Sequence, residues 1–427
     1  MHKIKQKERS KTNMKEEVIQ ILELYHQEQL LDYISLMTAE EKKALEDQIL
    51  SLDFASLEKL YETTKQEVQI EEKLITHIPY TDKAKLSQEE TKKLQEIGNK
   101  IISSGKYAVV TMAGGQGTRL GHSGPKGSYA LSTINGTKYL FEILAETLKK
   151  ANNTYQVTIP WYIMTSKENN QQTVCFFEQH NYFGYDKEYI KFFIQGELPL
   201  LTTEGKVMMN EKKQIKEAAN GNGGVYESME KDGILADMKA KGTEWIFIGG
   251  IDNVLSNMVD PILLGLTIQE NNKIASKSVV KTNPKERVGV FCKINGKPKV
   301  IEYTELPEEM AEERDANGEL NFGEVNILSH LYHVSVLQNL ADMKLPFHVA
   351  FKKSGYLKTD GTYIEPEEPN AYKFEAFIFD AFKRYDNMTI LRVKREDEFA
   401  PVKNRTGNDS PETATKLYNE KIERERK

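Results

Sequence analysis

The chain has 427 residues, of which 39% are hydrophobic and 29% charged, and its formal net charge is −6 at neutral pH. This composition is typical of a globular chain with one large domain or two to three ordinary ones. The acidic balance argues against a nucleic-acid-binding surface, which needs a basic face. No apolar run approaches the ~20 residues of a membrane helix. We therefore expect that neither a nucleic acid nor a membrane is a partner of this protein.

The two cysteines, Cys175 and Cys292, lack metal-ligand spacing. They are best interpreted as small packing residues of a protein in a reducing compartment. The basic start of the chain has no apolar segment of the kind that a secretory signal needs. We therefore expect a cytoplasmic protein. Its oligomeric state stays open between a monomer and a dimer.

The first part of the chain, 1–90, is predicted to be a helical N-terminal region. Residues 1–13 are polar and are expected to be disordered. From Lys15 to Lys73 the apolar residues recur at helical spacing. Thr38 and Glu41 have the spacing of a helix-capping pair.

The middle of the chain, 91–354, alternates strand-like and helix-like segments, which predicts an α/β domain around a mostly parallel sheet. The predicted helices are 138–150 and 224–241. The predicted strands are 107–112, 159–165, 190–194, 245–249, 278–281, 288–291 and 347–351. The remainder, 355–427, is predicted to form a small C-terminal lobe with a helix at 372–384 and a strand at 388–393.

A glycine-rich loop follows the apolar strand candidate Tyr107–Met112. Such a loop lets backbone N–H groups approach phosphate oxygens without a side-chain clash. Arg119 and Lys126 follow closely and can neutralise the charge of a polyphosphate. The glycines lie at Gly114, Gly115, Gly117 and Gly121.

The spacing of this loop excludes two common phosphate loops. A dinucleotide fingerprint needs G-x-G-x-x-G, and here Gly121 comes one residue too late. A Walker loop needs G-K-[ST], whereas Lys126 follows Pro125. A plain turn is a poor interpretation, since few turns combine four glycines, an arginine and Pro-Lys in this order.

The loop sequence G-G-x-G-T-R-L-G…P-K resembles that of the sugar-nucleotide pyrophosphorylases, and most of all the eukaryotic-type UDP-N-acetylglucosamine pyrophosphorylases and related uridylyltransferases. The resemblance runs from about residue 70 to 415. Further similar segments follow in the family's order, at 220–226, 251–255, 281–284, 300–303, 321–323 and 395–404.

The resemblance implies a Rossmann-like nucleotidyltransferase (GT-A-like) fold with a helical N-terminal domain and a C-terminal lobe that closes over the site. It also implies the reaction, in which UTP and a sugar 1-phosphate give a UDP-sugar and pyrophosphate. An in-line attack on the α-phosphorus needs positioning and charge neutralisation rather than a protein nucleophile.

The residues that would carry this chemistry are implied by the family's pattern. Arg119, Lys126 and Lys403 are the catalytic candidates, and Lys373 would also approach the phosphates. The candidates for nucleotide binding are Met112, Ala113, Gly114, Gly115, Gly117, Thr118, Gln195, Gly221 and Asp252. Without the resemblance, Lys373 and Lys403 would be interpreted as solvated surface lysines.

Asp252 follows a predicted strand and is the candidate metal ligand. One carboxylate together with phosphate oxygens and waters suits Mg²⁺, which seldom has an all-protein cage. From the residues alone, a turn aspartate is an equally good interpretation, since Asp-Asn is favourable in turns. The resemblance favours Mg²⁺ as the cofactor.

The sugar would be bound by Asn222, Gly223, Glu302 and Asn321. The chain departs from the family's pattern at Glu324, where an asparagine is usual, and at 122–124 before Pro-Lys. A carboxylate near the sugar would crowd or repel the ligand, so the departure puts the sugar's identity in question. N-acetylglucosamine 1-phosphate is the expected substrate.

Three alternatives stay open at this point. One is the same chemistry on glucose 1-phosphate or on a broad range of sugar phosphates. Another is a catalytically silent nucleotide-sugar sensor. The third concerns His330 and His333 alone, which could share one face of a helix and hold a metal, although plain packing is the simpler interpretation.

Overall fold

The computed structural model describes residues 14–65 and 74–426. The expectation for residues 1–13, and the end of the predicted helical stretch at Lys73, lie outside these ranges. The chain divides into two compact units. The first consists of the described parts of Met1–Glu71, Glu197–Gly223 and Pro346–Phe377; the second consists of the described parts of Glu72–Gly196, Gly224–Leu345 and Ile378–Lys427.

The second unit is built on an 11-stranded mixed sheet. Its main path runs through eight strands in the order Thr81–Asp82, Thr389–Arg392, Ile274–Val280, Glu324–His333, Trp245–Gly250, Tyr107–Met112, Trp161–Thr165 and Ile190–Ile194. Three further strands, Ile75–His77, Val290–Ile294 and Lys297–Ile301, join it through antiparallel pairs.

Strand Glu324–His333 is antiparallel to both of its neighbours on the main path, and the other pairs on that path are parallel. Strand Tyr107–Met112 is buried along its whole length, as expected of a central parallel strand. The prediction of a mixed, mostly parallel sheet flanked by helices is confirmed.

Several helices of the second unit share a large core cluster with the sheet. Helix Leu140–Tyr155, for example, buries Leu144 and Leu148 in this core. The other helices are Gln88–Ser103, Asn170–Gln179, Val225–Lys231, Ile234–Ala240, Pro261–Gln269, Glu308–Glu312, Leu337–Asp342, Arg395–Glu398 and Pro411–Arg426. A hairpin, Ala130–Thr133 with Gly136–Tyr139, lies outside the main sheet.

The first unit combines helices with three short antiparallel pairs. Its helices are Glu16–Leu24, Ala39–Ser51 and Phe54–Thr63, with a 3₁₀ segment at Glu28–Leu36. The predicted cap at Thr38 is present, because Thr38 and Glu41 form a reciprocal capping box. The paired strands are Glu197–Pro199 with Glu217–Ala219, His348–Lys352 with Ala371–Glu375, and Tyr356–Leu357 with Tyr363–Ile364.

Two helix predictions differ from the structure. The stretch 224–241 forms two helices, because Gly233 interrupts it with φ +72°. The predicted helix 372–384 is wrong, since Ala371–Glu375 is a strand and Ile378–Arg384 a 3₁₀ segment. Pairing with His348–Lys352 satisfies the backbone groups of this strand and overrides its helix propensity.

The alternative in which His330 and His333 share one face of a helix is not found. His330 and His333 lie on strand Glu324–His333 rather than on a helix. Side chains three residues apart on a strand point to opposite faces, so the two cannot bind one metal together. His330 is fully buried and accepts or donates one hydrogen bond, at 2.9 Å, with Ser276.

Candidate functional site

The glycine-rich loop begins where the central strand Tyr107–Met112 ends. This strand lies between two parallel neighbours, Trp161–Thr165 and Trp245–Gly250. Parallel strands present their carboxyl ends at one edge, where ligands of α/β proteins bind. The structure therefore brings the loop, the Gln195 segment and Asp252 to one edge of the sheet.

The loop is closed by its own backbone hydrogen bonds. The N–H of Gly117 donates to the carbonyl oxygen of Gly124 at 2.9 Å, and the N–H of Lys126 donates to that of Gly115 at 3.1 Å. Leu120, at the end of the 3₁₀ turn Thr118–Leu120, is buried and anchors the loop. The loop therefore has a defined shape rather than that of an open surface turn.

Asn169 holds the start of this loop and was missed by the sequence analysis. Its side chain is fully buried. The amide nitrogen donates to the carbonyl oxygens of Ala113, at 3.0 Å, and Gly115, at 3.3 Å, while Oδ1 accepts from the N–H of Ser166 at 2.9 Å. The available signal was an Asn that follows a predicted strand in a Ser-x-x-Asn turn.

Gln195 meets the loop at Gly114. The backbone N–H of Gln195 donates to the carbonyl oxygen of Thr165 at 2.8 Å, and its side chain is 8% exposed. A Cβ on Gly114 would lie 2.7 Å from Oε1 of Gln195, so a larger residue at position 114 would displace the Gln195 amide. Met112 and Ala113 precede this contact, and both are buried.

Lys126 and Asp252 form an ion pair, with 3.5 Å between Nζ and Oδ2. Their side chains are 17% and 21% exposed, so each remains accessible to a ligand. Asp252 comes directly after strand Trp245–Gly250, as predicted. The arrangement places one cation and one carboxylate side by side next to the glycine loop.

Lys403 belongs to a segment that is hydrogen-bonded to Asp252 and to the next residue, Asn253. The N–H of Val402 donates to the carbonyl oxygen of Asp252 at 2.9 Å. The side chain of Asn253 donates to the carbonyl oxygen of Glu398 at 2.7 Å and accepts from the N–H of Ala400 at 2.9 Å. Lys403 itself is exposed.

Arg119 and Thr118 lie in the short turn of the loop, and both side chains are exposed. A second arginine, Arg405, lies beside the same loop, because its guanidinium carbon would be 3.7 Å from a Cβ on Gly121. The sequence analysis missed Arg405. The loop therefore carries more positive charge than Arg119 and Lys126 supply.

A cluster of four charges lies in the same unit, and three of its members, Lys277, Asp260 and Glu398, are buried while Lys83 is partly exposed. Nζ of Lys277 lies 2.9 Å from Oδ2 of Asp260 and also pairs with Glu398. Lys83 lies 2.9 Å from the same oxygen of Asp260 and 3.4 Å from Glu398. Burial would raise the pKa of Asp260, but the two ammonium groups hold it well below its ordinary value.

Two of the predicted sugar residues lie elsewhere in the second unit. Glu302 follows strand Lys297–Ile301, and its Oε1 would be 2.9 Å from a Cβ on Gly289. Asn321 is half-buried, and its N–H donates to the carbonyl oxygen of Glu313 at 2.9 Å.

The expectation that Glu324 crowds the sugar is wrong. Glu324 is 3% exposed and is the first residue of strand Glu324–His333. Its Oε1 accepts from Nε of Arg392 at 2.9 Å, and its Oε2 accepts from the hydroxyl of Ser278 at 2.5 Å. The guanidinium of Arg392 thus compensates the charge of Glu324 inside the sheet.

The remaining predicted residues belong to the first unit. Gly221 has φ +87°, and a Cβ there would lie 2.2 Å from the carbonyl oxygen of Ala376, so this position requires glycine. The N–H of Gly223 donates to the same oxygen at 2.9 Å. Asn222 between them is half-buried. Lys373 lies on strand Ala371–Glu375 and forms an ion pair with Glu375.

Within residues 14–65 and 74–426, no three His, Cys, Asp or Glu side chains form a cluster that could hold a metal. Asp252 is therefore a single carboxylate, and such a site suits an ion that also takes oxygens from phosphates and water. Among the helices in the same ranges, none is long and apolar enough to cross a membrane.

Comparison with known proteins agrees with this geometry. The family model described as UTP–glucose-1-phosphate uridylyltransferase matches residues 52–420. The chain is 40% identical over 334 residues to a UDP-N-acetylglucosamine pyrophosphorylase of Saccharomyces cerevisiae, covering 75% of this chain and 70% of the relative. It is 34% identical to UDP-N-acetylglucosamine diphosphorylase 2 of Arabidopsis thaliana, covering 94% and 82%.

A solved structure leads to the same result. The uridine diphosphate N-acetylglucosamine pyrophosphorylase of Trypanosoma brucei has a TM-score of 0.80 with this chain at 29% identity, covering 93% of this chain and 83% of that one. The resemblance inferred from the glycine loop and the later segments is thereby confirmed. The chain belongs to the UTP–glucose-1-phosphate uridylyltransferase family.

Proposed function

We propose that this enzyme transfers a uridylyl group from UTP to N-acetylglucosamine 1-phosphate and releases pyrophosphate. The observation that carries the proposal is the Lys126–Asp252 pair, 3.5 Å apart, beside the closed glycine loop at the sheet edge. This is the constellation that phosphoryl chemistry needs, namely positioned backbone donors, a cation and one carboxylate. The relatives' names support the choice of sugar.

The proposed reaction is a single in-line displacement. An oxygen of the sugar phosphate attacks the α-phosphorus of UTP, the bond to the β-phosphate oxygen breaks, and pyrophosphate leaves. Lys126 neutralises charge at the α-phosphate, while Arg119 binds the departing phosphates and Lys403 adds a third cation. Backbone N–H groups at Gly115 and Thr118 would donate to phosphate oxygens, and Gly117, whose own N–H is bonded to the carbonyl oxygen of Gly124, would hold the loop in shape beside them.

Asp252 would hold Mg²⁺ together with phosphate oxygens. The donor set fits, because Mg²⁺ sites on nucleotides use one or two carboxylates and several waters. When bound, the ion would draw charge from the phosphates during the transfer. Lys126, adjacent to the same carboxylate, orients Asp252 and keeps the local charge balanced.

Uracil would be bound at the start of the loop. Its one N–H donor and its carbonyl oxygens match a side-chain amide together with backbone groups. Gln195 presents such an amide at Gly114, and the nearby backbone of Met112 and Ala113 is fixed by sheet hydrogen bonds. Gly221 is proposed to approach the nucleoside. UTP should therefore be used far better than ATP or GTP.

Asn222, Gly223, Glu302 and Asn321 are proposed to bind the sugar, and Lys373 the phosphates. The buried Arg392–Glu324 pair removes the charge that argued against an N-acetyl group. Oδ1 of Asn220 is buried with no hydrogen-bond partner in the described parts of the chain. Such an atom favours a polar ligand near the 220–223 turn.

A second candidate is glucose 1-phosphate, which the description of the matching family model favours. A pyrophosphate-release assay with UTP and a panel of sugar 1-phosphates separates the candidates. Release with N-acetylglucosamine 1-phosphate supports the proposal, and release only with glucose 1-phosphate favours the alternative. Binding of UDP-sugars without any release would instead indicate a sensor.

We also place the protein in the cytoplasm. Cys175 and Cys292 are both free thiols, which suits a reducing compartment. Burial of Cys292 raises the pKa of its thiol to about 12, so the thiol stays protonated and Cys292 is a packing residue.

A further inference from the structure

Asn253, which follows Asp252 directly, binds the backbone on both sides of a turn in the second unit. Its amide nitrogen donates to the carbonyl oxygen of Glu398 at 2.7 Å, and its Oδ1 accepts from the N–H of Ala400 at 2.9 Å. The residue is 4% exposed. A side-chain amide can donate from one end and accept at the other, so Asn253 connects two backbone groups that a simple donor or acceptor could not.

The backbone around this side chain extends the attachment. The N–H of Val254 donates to the carbonyl oxygen of Ala400 at 3.2 Å, and the N–H of Val402 donates to that of Asp252 at 2.9 Å. Ala400 and Val402 are both buried. The two segments therefore form one antiparallel bridge inside the protein.

Lys403 is the residue at which the second of these segments reaches the surface. It is exposed, and its N–H donates to the carbonyl oxygen of Asp409 at 2.7 Å. Its Nζ lies 5.7 Å from the ring centroid of Phe399, which is within cation–π distance. The place of this cation therefore depends on how the buried residues before it are held.

Glu398 is held at its side chain as well as at its carbonyl oxygen. Its carboxylate pairs with Lys277, which is 1% exposed, and lies 3.4 Å from Nζ of Lys83. A lysine is almost never fully buried unless it is paired, so Lys277 also restricts where this carboxylate can lie. Two ammonium groups thus fix one end of Glu398, and Asn253 binds the other.

We propose that Asn253 is a positioning residue that acts through Lys403 and fixes this cation relative to Asp252. The inference rests on the proposed function, in which Lys403 neutralises charge on the phosphates during the transfer. A preorganised charge stabilises the transition state because it is in place before the reaction. A small displacement of such a group lowers the rate, so the buried Asn253 controls kcat at a distance.

A double-mutant cycle, measured by pyrophosphate release, tests this role. We expect Lys403→Met to lower kcat about 10²-fold and Asn253→Ala to lower it about tenfold or more. In the Lys403→Met background, Asn253→Ala should lower kcat by less than about twofold, because the cation that it positions is already absent. The Mg²⁺ concentration for half-maximal activity should change by less than about twofold in Asn253→Ala, since Asp252 is retained.

Asn152→Ala is the matched control. Oδ1 of Asn152 accepts from the N–H of Ile159 at 3.1 Å, so this variant also removes a bond between an asparagine and a distant part of the backbone. Ile159 comes just before strand Trp161–Thr165, whereas the glycine loop follows the parallel strand Tyr107–Met112. Asn152 therefore lies toward the opposite edge of the sheet, and kcat should match that of the wild type.

Urea unfolding shows which variants are folded. If Asn253→Ala does not fold, the cycle is run with Asn253→Asp, which keeps the size of the side chain and the bond from Ala400 but loses the donation to Glu398. We expect the same dependence on Lys403 in this variant.

Failure of this inference differs from failure of the proposed function. If the folded Asn253 variant lowers kcat by the same factor in both backgrounds, or leaves kcat unchanged, Asn253 does not position Lys403. A raised Mg²⁺ requirement that persists in the Lys403→Met background would show that Asn253 acts through Asp252 instead. Wild-type kcat in Lys403→Met would also refute the inference. If the wild type releases no pyrophosphate with any sugar 1-phosphate, the proposed function fails instead.

Discussion

Lys126 and Asp252 meet at 3.5 Å although 126 positions of sequence separate them. The contact exists because strands Tyr107–Met112 and Trp245–Gly250 are parallel neighbours, so the segments that follow them leave the sheet at one edge. Exposure of 17% and 21% keeps both groups within reach of a phosphate. The pair thus supplies the charge on which the proposed transfer depends.

Replacing Lys126 should reduce turnover much more than binding. We expect Lys126→Met to lower kcat by about 10²- to 10³-fold, since a preorganised charge at the reacting phosphate is lost. The KM for the sugar phosphate should change by no more than a few-fold. Steady-state pyrophosphate release measures both. Lys150→Met, whose side chain is 73% exposed, is the control, and near-normal kcat in Lys126→Met would refute the role of Lys126.

Replacing Asp252 should weaken the binding of Mg²⁺ and so raise the Mg²⁺ concentration that the enzyme needs. We expect Asp252→Asn to need at least about tenfold more Mg²⁺ for half-maximal activity, because a charged ligand is lost. Chelation should abolish wild-type activity and Mg²⁺ should restore it. Asp315→Asn, at a carboxylate in an exposed turn, should behave like the wild type. An unchanged Mg²⁺ requirement in Asp252→Asn would place the ion elsewhere.

Asn169 should control affinity for UTP through the shape of the loop. Its amide nitrogen donates to two loop carbonyl groups. Asn169→Ala should cost about 1–3 kcal/mol of unfolding free energy, because buried groups lose their partner, and should raise KM for UTP. Asn169→Asp should be worse, since its carboxylate would face the carbonyl oxygens of Ala113 and Gly115.

The control for Asn169 is Asn153→Ala, at an exposed residue near the end of helix Leu140–Tyr155. Urea unfolding and UTP saturation curves measure the two effects. If Asn169→Asp keeps the wild-type KM for UTP while the fold is intact, the loop does not depend on this side chain.

His330 should make stability depend on pH in mildly acidic solution. Burial lowers the pKa of His330 to about 3, from 6.5 in the unfolded chain. Between these values the unfolded state binds more protons, so its contribution to stability is complete above pH 6.5 and falls as the pH drops toward 3.

The test replaces His330 by asparagine, which can keep the bond to Ser276. The slope of unfolding free energy against pH between 6.5 and 4 should become shallower in His330→Asn than in the wild type. His77→Asn, at an exposed strand position, should leave the slope unchanged. Equal slopes in all three proteins would show that His330 is not buried in its neutral form.

Local patterns predicted the positions of the central strand, the glycine loop and Asp252 well. Strand Tyr107–Met112, the glycine loop and the position of Asp252 after a strand depend on residues that are close in sequence, and each is found where it was expected. The general reason is that strand ends in parallel sheets converge, so short motifs far apart can be assigned to one edge.

Long-range partners could not be predicted in the same way. Asn169, Arg405 and the buried Lys277 act through contacts with residues that lie far away in sequence, and single polar residues carry no pattern. Glu324 was misjudged for the same reason, since its partner Arg392 is 68 positions away. Its burial became evident only from the structure.

The segment 371–384 shows how propensity can mislead. Its alternating Ala371–Glu375 stretch is compatible with a strand or with the first turns of a helix. Pairing with strand His348–Lys352 favours the strand. The pairing satisfies the backbone hydrogen-bonding groups and fixes which side chains share a face.

The central claim is that this enzyme makes UDP-N-acetylglucosamine, and kcat/KM for the two sugar phosphates tests it most directly. With UTP and Mg²⁺, we expect kcat/KM for N-acetylglucosamine 1-phosphate to exceed that for glucose 1-phosphate by about tenfold, as the loss of one buried polar contact would produce. A tenfold preference for glucose 1-phosphate would contradict the account.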